Sequence, residues 1–244
     1  MRNVGVVCTR ELASYFATPV AYIFIVIFLA LANALTFYVG YFFERGQADL
    51  QTFFNFHPWL YLFLMPAISM RLWAEERKTG TIELLLTLPI RTWEAAVGKF
   101  LAAWAFAAVA LALTFPIWIT VNWLGEPDNG VIVASYIGSL LMAGGYLAIG
   151  TCLSALSKNQ VIAFVVTIAV CFLFTVSGSS FLVSMLGDLM SRSAVEAVAS
   201  FSFLTHFNQI IKGVIDARDL VFFAAVIITW LLASVILIDM KKAD

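Results

Sequence analysis

A chain of 244 residues that is 62% hydrophobic and 12% charged has about half the charge of an average soluble domain, which excludes an ordinary soluble surface. The apolar residues form successive charge-poor runs of membrane-spanning length, not the short alternating segments of a β-barrel; the expected fold class is an all-α polytopic membrane protein. A net charge of −1 offers no basic field for nucleic acid.

In chain order, residues 3–16 place Val4, Val7, Cys8, Leu12, Tyr15 and Phe16 on one face at helical spacing. This predicts an amphipathic elbow helix on the membrane surface, within residues 1–18, turned by Thr18-Pro19. Arg10 and Glu11 interrupt this stretch, so it lacks the short apolar core of a cleavable signal. Six spans are then expected: Val20–Phe43, Pro58–Trp73, Val97–Leu124, Val131–Leu156, Val161–Met185 and Leu220–Ile238. Residues 186–219 carry Asp188, Arg192, Glu196, His206, Lys212, Asp216, Arg218 and Asp219. Each charge at mid-bilayer costs at least ~2.5 kcal/mol, so this region reads as helices lying at or dipping into one face, not a seventh span.

The basic residues support that count. With both termini in the cytoplasm, Arg2, Arg10, Arg71, Arg77, Lys78, Arg91, Lys99, Lys158, Lys241 and Lys242 fall inside. Only Arg45, Arg192, Lys212 and Arg218 fall outside, a clear positive-inside bias. In the fourth span, Gly144, Ala148 and Cys152 share one line and Ser135, Ser139 and Ala143 another. Such small residues allow close helix packing, within the chain or against a second subunit. Trp59, Trp73, Trp93, Trp118 and Trp123 fall near expected interfaces and read as anchoring belts.

Several site chemistries find no support. Cys8, Cys152 and Cys171 are too scattered for a disulfide framework, and the last two read as small buried hydrophobes. There is no phosphate-binding G-x-x-x-x-G-K-[ST] run and no H-E-x-x-H. The two histidines, His57 and His206, stand apart. Ser177-Gly178-Ser179-Ser180 lacks the flanking glycines of a nucleophile elbow and reads as a kink; His206 is the base it would require. The span centres lack the charged groups that ion-coupled transport needs. No catalytic, cofactor or metal site is assigned.

The largest inside loop, residues 74–90, reads AEERKTGTIELLLTLPI. Glu75, Glu76, Arg77 and Lys78 continue the helix leaving the second span, and Gly80 supplies the positive φ that ends it. Thr81 can cap a new short helix, with Glu83 near its positive end and Pro89 stopping it. Ile82, Leu85 and Leu86 can rest on the span ends while Leu84 and Leu88 face outward. That shape suits docking into a cleft of a soluble partner; it also suits a turn anchored to lipid headgroups.

This loop resembles the signature of ABC-2 type transporter permeases, E-x-x-x-G-T-x-E-x-L-L-x-x-P, through Glu76, Gly80, Thr81, Glu83, Leu85, Leu86 and Pro89. Elbow helix, six spans and external helices between the last two spans match as well. The stretches ELASYFATPVAYIF and LSKNQVIAF are similar to the gliding-motility-associated and nitrous-oxide-reductase-maturation permeases. The resemblance implies one transmembrane domain over 1–244 in a bacterial cytoplasmic membrane. It implies pairing with a second permease chain and docking of the loop on a separate ATPase dimer that binds ATP and Mg. Leu84, Leu85 and Leu86 would be the docking knob, Glu75, Glu76, Arg77 and Lys78 its polar rim, and Gly80 the angle between the helices. Arg10 and Glu11 would touch the same partner. The implied function is export; the alternative is a module that passes ATP-driven motion to a periplasmic partner without moving cargo.

Overall fold

A computed structural model describes residues 2–81, 90–187 and 191–241. All regular structure among the described residues is helical. The first helix, α1 (Arg2–Phe16), buries the face that its periodicity marks: Val7 is sealed and Tyr15 stacks on Phe106 at 5.3 Å. It lies along α6 (Thr92–Ala112), and Gly98 makes that possible. A Cβ at Gly98 would sit 2.8 Å from the Val7 side chain.

Pro19 opens α2 (Pro19–Ala34) with its φ already helical. Helix continues as a π turn, Leu35–Val39, and stops short of the expected Phe43. Within it Thr36 returns its hydroxyl to the Ala32 carbonyl at 2.7 Å. Tyr41, at φ 49°, then redirects the chain. After the short α3 (Gln51–Asn55), the expected second span divides into α4 (His57–Ser69) and α5 (Arg71–Thr79). At 13 residues α4 is about 20 Å long. The break between them is filled from outside: Ser154 Oγ accepts from the Trp73 and Ala74 backbone N–H at 3.1 and 3.0 Å and donates to the Met70 carbonyl at 2.9 Å.

The third expected span also breaks, into α6 and α7 (Phe115–Leu124). Pro116 cannot donate to the preceding turn, and Thr114 covers the Leu111 carbonyl at 2.6 Å. Next, α8 (Asn129–Leu156) is capped by Asp128, which accepts from Gly130 N and Val131 N. Asn159 caps α9 (Gln160–Val176), and Ser177-Gly178 separates it from α10 (Ser180–Gly187), so the fifth expected span ends early, at the anticipated kink. The region after it holds α11 (Arg192–Ser200) and α12 (Phe203–Ile210), before α13 (Ala217–Met240).

Four helical units among the described residues are long and apolar enough to cross a membrane: α2 with its π turn, α6 with α7, α8 and α13. The 17-residue α9 is a shorter apolar helix. The chain is thus a polytopic helical membrane protein. Its centre is α8, whose apolar window is 72% buried, against 28% for α2 and 22% for α13. The small-residue lines of α8 explain this. Ser135, Ser139, Ala143, Gly144, Ala148 and Cys152 are all buried within the one chain, so the stripe packs the subunit's own helices. His57 and the Tyr61 hydroxyl both lie 2.7 Å from Ser139 Oγ and tie α4 to α8. Trp73 is fully buried and is not a belt residue; Trp59, Trp93 and Trp123 are exposed as belts require. Cys152 and Cys171 are free and buried, as expected.

Ser154→Ala leaves two buried N–H groups without an acceptor, at a cost of roughly 1–3 kcal/mol for each orphaned group. The unfolding midpoint of the detergent-solubilised chain is therefore expected to fall by several degrees. An unchanged midpoint would show that the break satisfies itself.

Candidate functional site

The site expected on residues 74–90 is seen through its root. Glu83, Leu84, Leu85, Leu86 and Pro89, with Ile82, Thr87 and Leu88, lie outside the described residues. The root is α5, which ends at Thr79; Gly80 then takes a left-handed φ of 74°. A residue with a Cβ pays a steric penalty there, so glycine sets the exit angle. The Thr79 hydroxyl donates to the Glu75 carbonyl at 3.0 Å and lies 2.9 Å from Thr81 Oγ1, closing the turn locally.

Four charged side chains of α5 reach other elements or one another. Glu75 forms an exposed pair with Arg71 one turn earlier, at 3.1 Å. Glu76 faces inward and takes Lys99 at 2.7 Å. The Arg77 guanidinium donates to the Ala155 carbonyl, at the C-terminal end of α8 where unpaired carbonyls concentrate negative potential. Lys241 adds a second cap there, to the Leu156 carbonyl at 2.9 Å. Lys78 is exposed.

Lys99 is the centre of this arrangement. It stands on α6, its side chain is 3% exposed, and it also pairs with Glu11 of α1 at 3.2 Å. Arg10 backs Glu11 at 2.6 Å. The ammonium lies 5.3 Å from the centroid of the Trp73 ring, a cation–π contact that adds to its enclosure. One lysine thereby joins α1, α5 and α6. Burial alone would push the Glu11 carboxyl up; Lys99 and Arg10 more than reverse this and hold it below its ordinary value. An open cleft of about 500 Å³ lies against this network, walled by Arg10, Glu11, Tyr15, Arg71, Glu75 and Glu76.

The far end of the loop is also tied down. Glu94 accepts from the Arg91 N–H at 2.9 Å and from Asn3 at 3.1 Å. Thr92 donates to Asp239, at the end of α13, at 2.7 Å. Both roots of the loop are therefore bonded to other helices: α6 and α8 on entry, with α1 joined through Lys99, and α1 and α13 on exit.

Of the expected site residues, Arg10, Glu11, Glu75 and Glu76 come together around one cleft, and Arg77 is drawn away to α8. Sequence reasoning missed Lys99 and Ser154. A lysine entering an apolar run requires a partner, but its acids lie 88 and 23 positions away. Ser154 carried no signal beyond its place on a small-residue helix. The serine-nucleophile arrangement is not formed: both ring nitrogens of His206 are engaged by Asp219 and the Ser200 carbonyl, while Ser177 Oγ donates to the Phe174 carbonyl.

Residues 48–238 match the family described as ABC-2 family transporter protein. The chain belongs to this family. Its members are the membrane-embedded components of ABC transporters, which act with an ABC ATPase. No curated protein matches the chain. The matched span begins before α3 and ends within α13, so it contains the loop root and Lys99, while Glu11 and the rest of α1 precede it.

Lys99→Met would leave two poorly solvated carboxylates facing each other, a loss on the order of 3–5 kcal/mol. Adding Glu76→Gln is expected to recover a large part of the lost unfolding temperature; no recovery would detach Glu76 from the network. A second expectation concerns acid. Since the Glu11 carboxyl is held below its ordinary 4.5, its contribution is complete above that pH and lost as pH falls through the lowered value. Hydrogen exchange over α1 should rise only on acidification below 4.5 and stay flat from neutrality down to that point.

Proposed function

We propose that the chain is the transmembrane permease subunit of an ABC-2 type exporter, driven through the 74–90 loop by a separate ATPase dimer that binds ATP and Mg. The observation that carries this reading is the wiring of the loop's root to the elbow through Glu76, Lys99 and Glu11, and to the central helix through Ser154 and Arg77. A loop bonded in this way passes a push on its tip to the spans; a turn merely resting on headgroups has no need of it. Leu84, Leu85 and Leu86 form the docking knob in this reading. Glu75, Lys78 and Glu83 contribute its rim, Gly80 and Thr81 its angle, and Pro89 its end. Arg10, beside the cleft, is a further contact for the ATPase.

The same reading makes 1–244 a single transmembrane domain with six spans. The second is α4 continued by α5, the fifth α9 continued by α10, and residues 186–219 form the external helical region. In this reading both termini lie in the cytoplasm of a bacterium, an orientation that the positive-inside distribution of basic residues supports. A second permease chain covers the exposed apolar faces left on the perimeter. The gliding-motility-associated and nitrous-oxide-reductase-maturation permeases offer a functional analogy, carried by the elbow, loop and LSKNQVIAF sequences alone.

Transmission of force to a periplasmic partner without cargo is the second reading. It is favoured by the firm seating of the external helices: Phe203 and Phe207 of α12 are fully buried against the bundle, a stiff platform for an accessory protein.

Leu85→Asp is expected to abolish co-purification with the ATPase encoded beside the chain, and Glu83→Lys to lower ATPase stimulation several-fold, without loss of membrane insertion. Glu76 is unsuitable for this purpose because reversing it also breaks the Lys99 network. Wild-type association of Leu85→Asp would reject the docking knob. For topology, a Glu196→Cys variant should react with an impermeant thiol reagent in intact cells; reaction only after lysis would overturn the six-span arrangement.

A further inference from the structure

A second polar cluster lies at the other end of the bundle. The helix α13 runs from Asp219 at that end to Asp239 beside Thr92 at the loop end. His206, on α12, places Nδ1 2.6 Å from Asp219 Oδ1 and Nε2 2.9 Å from the Ser200 carbonyl oxygen. Its ring stacks on Phe222 at 4.0 Å, which fixes the plane and prevents either nitrogen from turning away. Asp219 is 2% exposed, and its Oδ2 has no partner among the described residues.

The chemistry of the partners counts the protons. A carbonyl oxygen only accepts, so Nε2 carries hydrogen. An ionised carboxylate only accepts, so Nδ1 carries hydrogen too, and the ring is an imidazolium. If Asp219 instead keeps the proton and donates to Nδ1, the pair still holds one proton more than neutral imidazole plus carboxylate. Both contacts therefore exist together only while that extra proton is bound.

We infer that His206 and Asp219 form a single-proton site whose occupancy clamps the α11–α12 junction to the first turn of α13. When the proton leaves, one ring hydrogen remains for two acceptors. The carboxylate is the stronger acceptor, so the hydrogen moves to Nδ1, and Nε2 turns a lone pair towards the Ser200 carbonyl. Those two oxygen and nitrogen lone pairs repel, and Ser200, at the end of the half-exposed α11, is released. Phe203, Phe207 and Ile210 are buried and keep α12 in place, which confines the movement to the junction.

The surrounding charges do not supply the missing hydrogen. Arg192 and Glu196 on α11, Lys212 after α12, and Asp216 and Arg218 before Asp219 make no ion pair with the ring among the described residues. Asp216 is occupied with the Arg218 backbone N–H. The titratable side chain that α8 brings to this end of α12 is Tyr146, which meets Phe203 and bonds Thr175. From α9 it is Cys171, one turn deeper.

The closed state binds one proton more than the open state, so closure is complete at low pH and lost as pH rises. Between the two states' titrations the opening equilibrium grows about tenfold per pH unit. Asp219→Asn provides the discriminating variant. Its amide donates to neutral Nδ1 while Nε2–H keeps Ser200, so both contacts survive without the extra proton.

The test is hydrogen exchange by mass spectrometry on the full chain in detergent from about pH 5 to about pH 9, the range in which histidines change charge, with rates corrected for intrinsic exchange. Peptides over 198–206 should lose protection as pH rises in the wild type and hold it in Asp219→Asn. The chain's two histidines also permit 15N imidazole spectra, assigned with a His57 variant. His206 should show two protonated nitrogens at low pH and lose one over the same interval. Flat protection in the wild type, an identical fall in Asp219→Asn, or a neutral His206 across the whole range would each overturn the inference. Should the variant fold poorly, the wild-type spectra and exchange decide alone.

Discussion

A buried ammonium cannot stand alone in an apolar protein, and Lys99 is such an ammonium. Its desolvation amounts to several kcal/mol unless opposite charge lies within contact. Glu11 and Glu76 supply that charge from two other helices. This single requirement fixes how far α1, α5 and α6 can move relative to one another. A helix held only by Val7 over Gly98 could slide along α6; one that also supplies a carboxylate to Lys99 cannot slide without taking that charge from a buried ammonium. Thus α1, α5 and the start of α6 are held to one another through a single ammonium.

The other constraint is on backbone groups in apolar surroundings, where each N–H and carbonyl needs a partner. The helices here break at Met70 and near Thr114, and distort at Leu35. Hydroxyls attend all three places: Ser154 from a neighbouring helix, Thr114 and Thr36 from the same helical segment. The difference matters. A break repaired by its own threonine is self-contained. The break at Met70 is repaired by α8, so α5 cannot swing about it without giving up bonds to the central helix. Arg77, reaching the end of α8, adds a second attachment two turns further on.

Much of this was legible beforehand. The buried face of α1, the glycine exit from α5, the polar helices before the last span and the kink after Val176 follow from periodicity, charge and backbone preference, all of which are local. Trp73 was misread because position near an expected interface says nothing about which way a ring points; it turns inward under Lys99. The breaks inside the second and third expected spans were missed for a related reason. Hydropathy continues smoothly through Leu113, and the helical pattern runs on past Met70 into Arg71–Thr79, so only the hydrogen-bond pattern reveals the interruptions. Lys99 and Ser154 exert their influence through residues dozens of positions away, and no spacing rule reaches that far.

The two polar clusters differ in a way that bears on how motion could cross the bundle. At the loop end the charges are paired across helices with little dependence on pH near neutrality, so that end is a permanent joint. At the other end the tie between His206 and the α11–α12 junction at Ser200 depends on one proton and one ring. Between them runs α8, the most buried helix, packed through glycine, alanine and serine with no room for side chains to rearrange. Close-packed interiors transmit displacement because they cannot absorb it. A shift imposed on α5 therefore travels along α8 as a whole, and the first place where it can be taken up is the weaker tie at the far end.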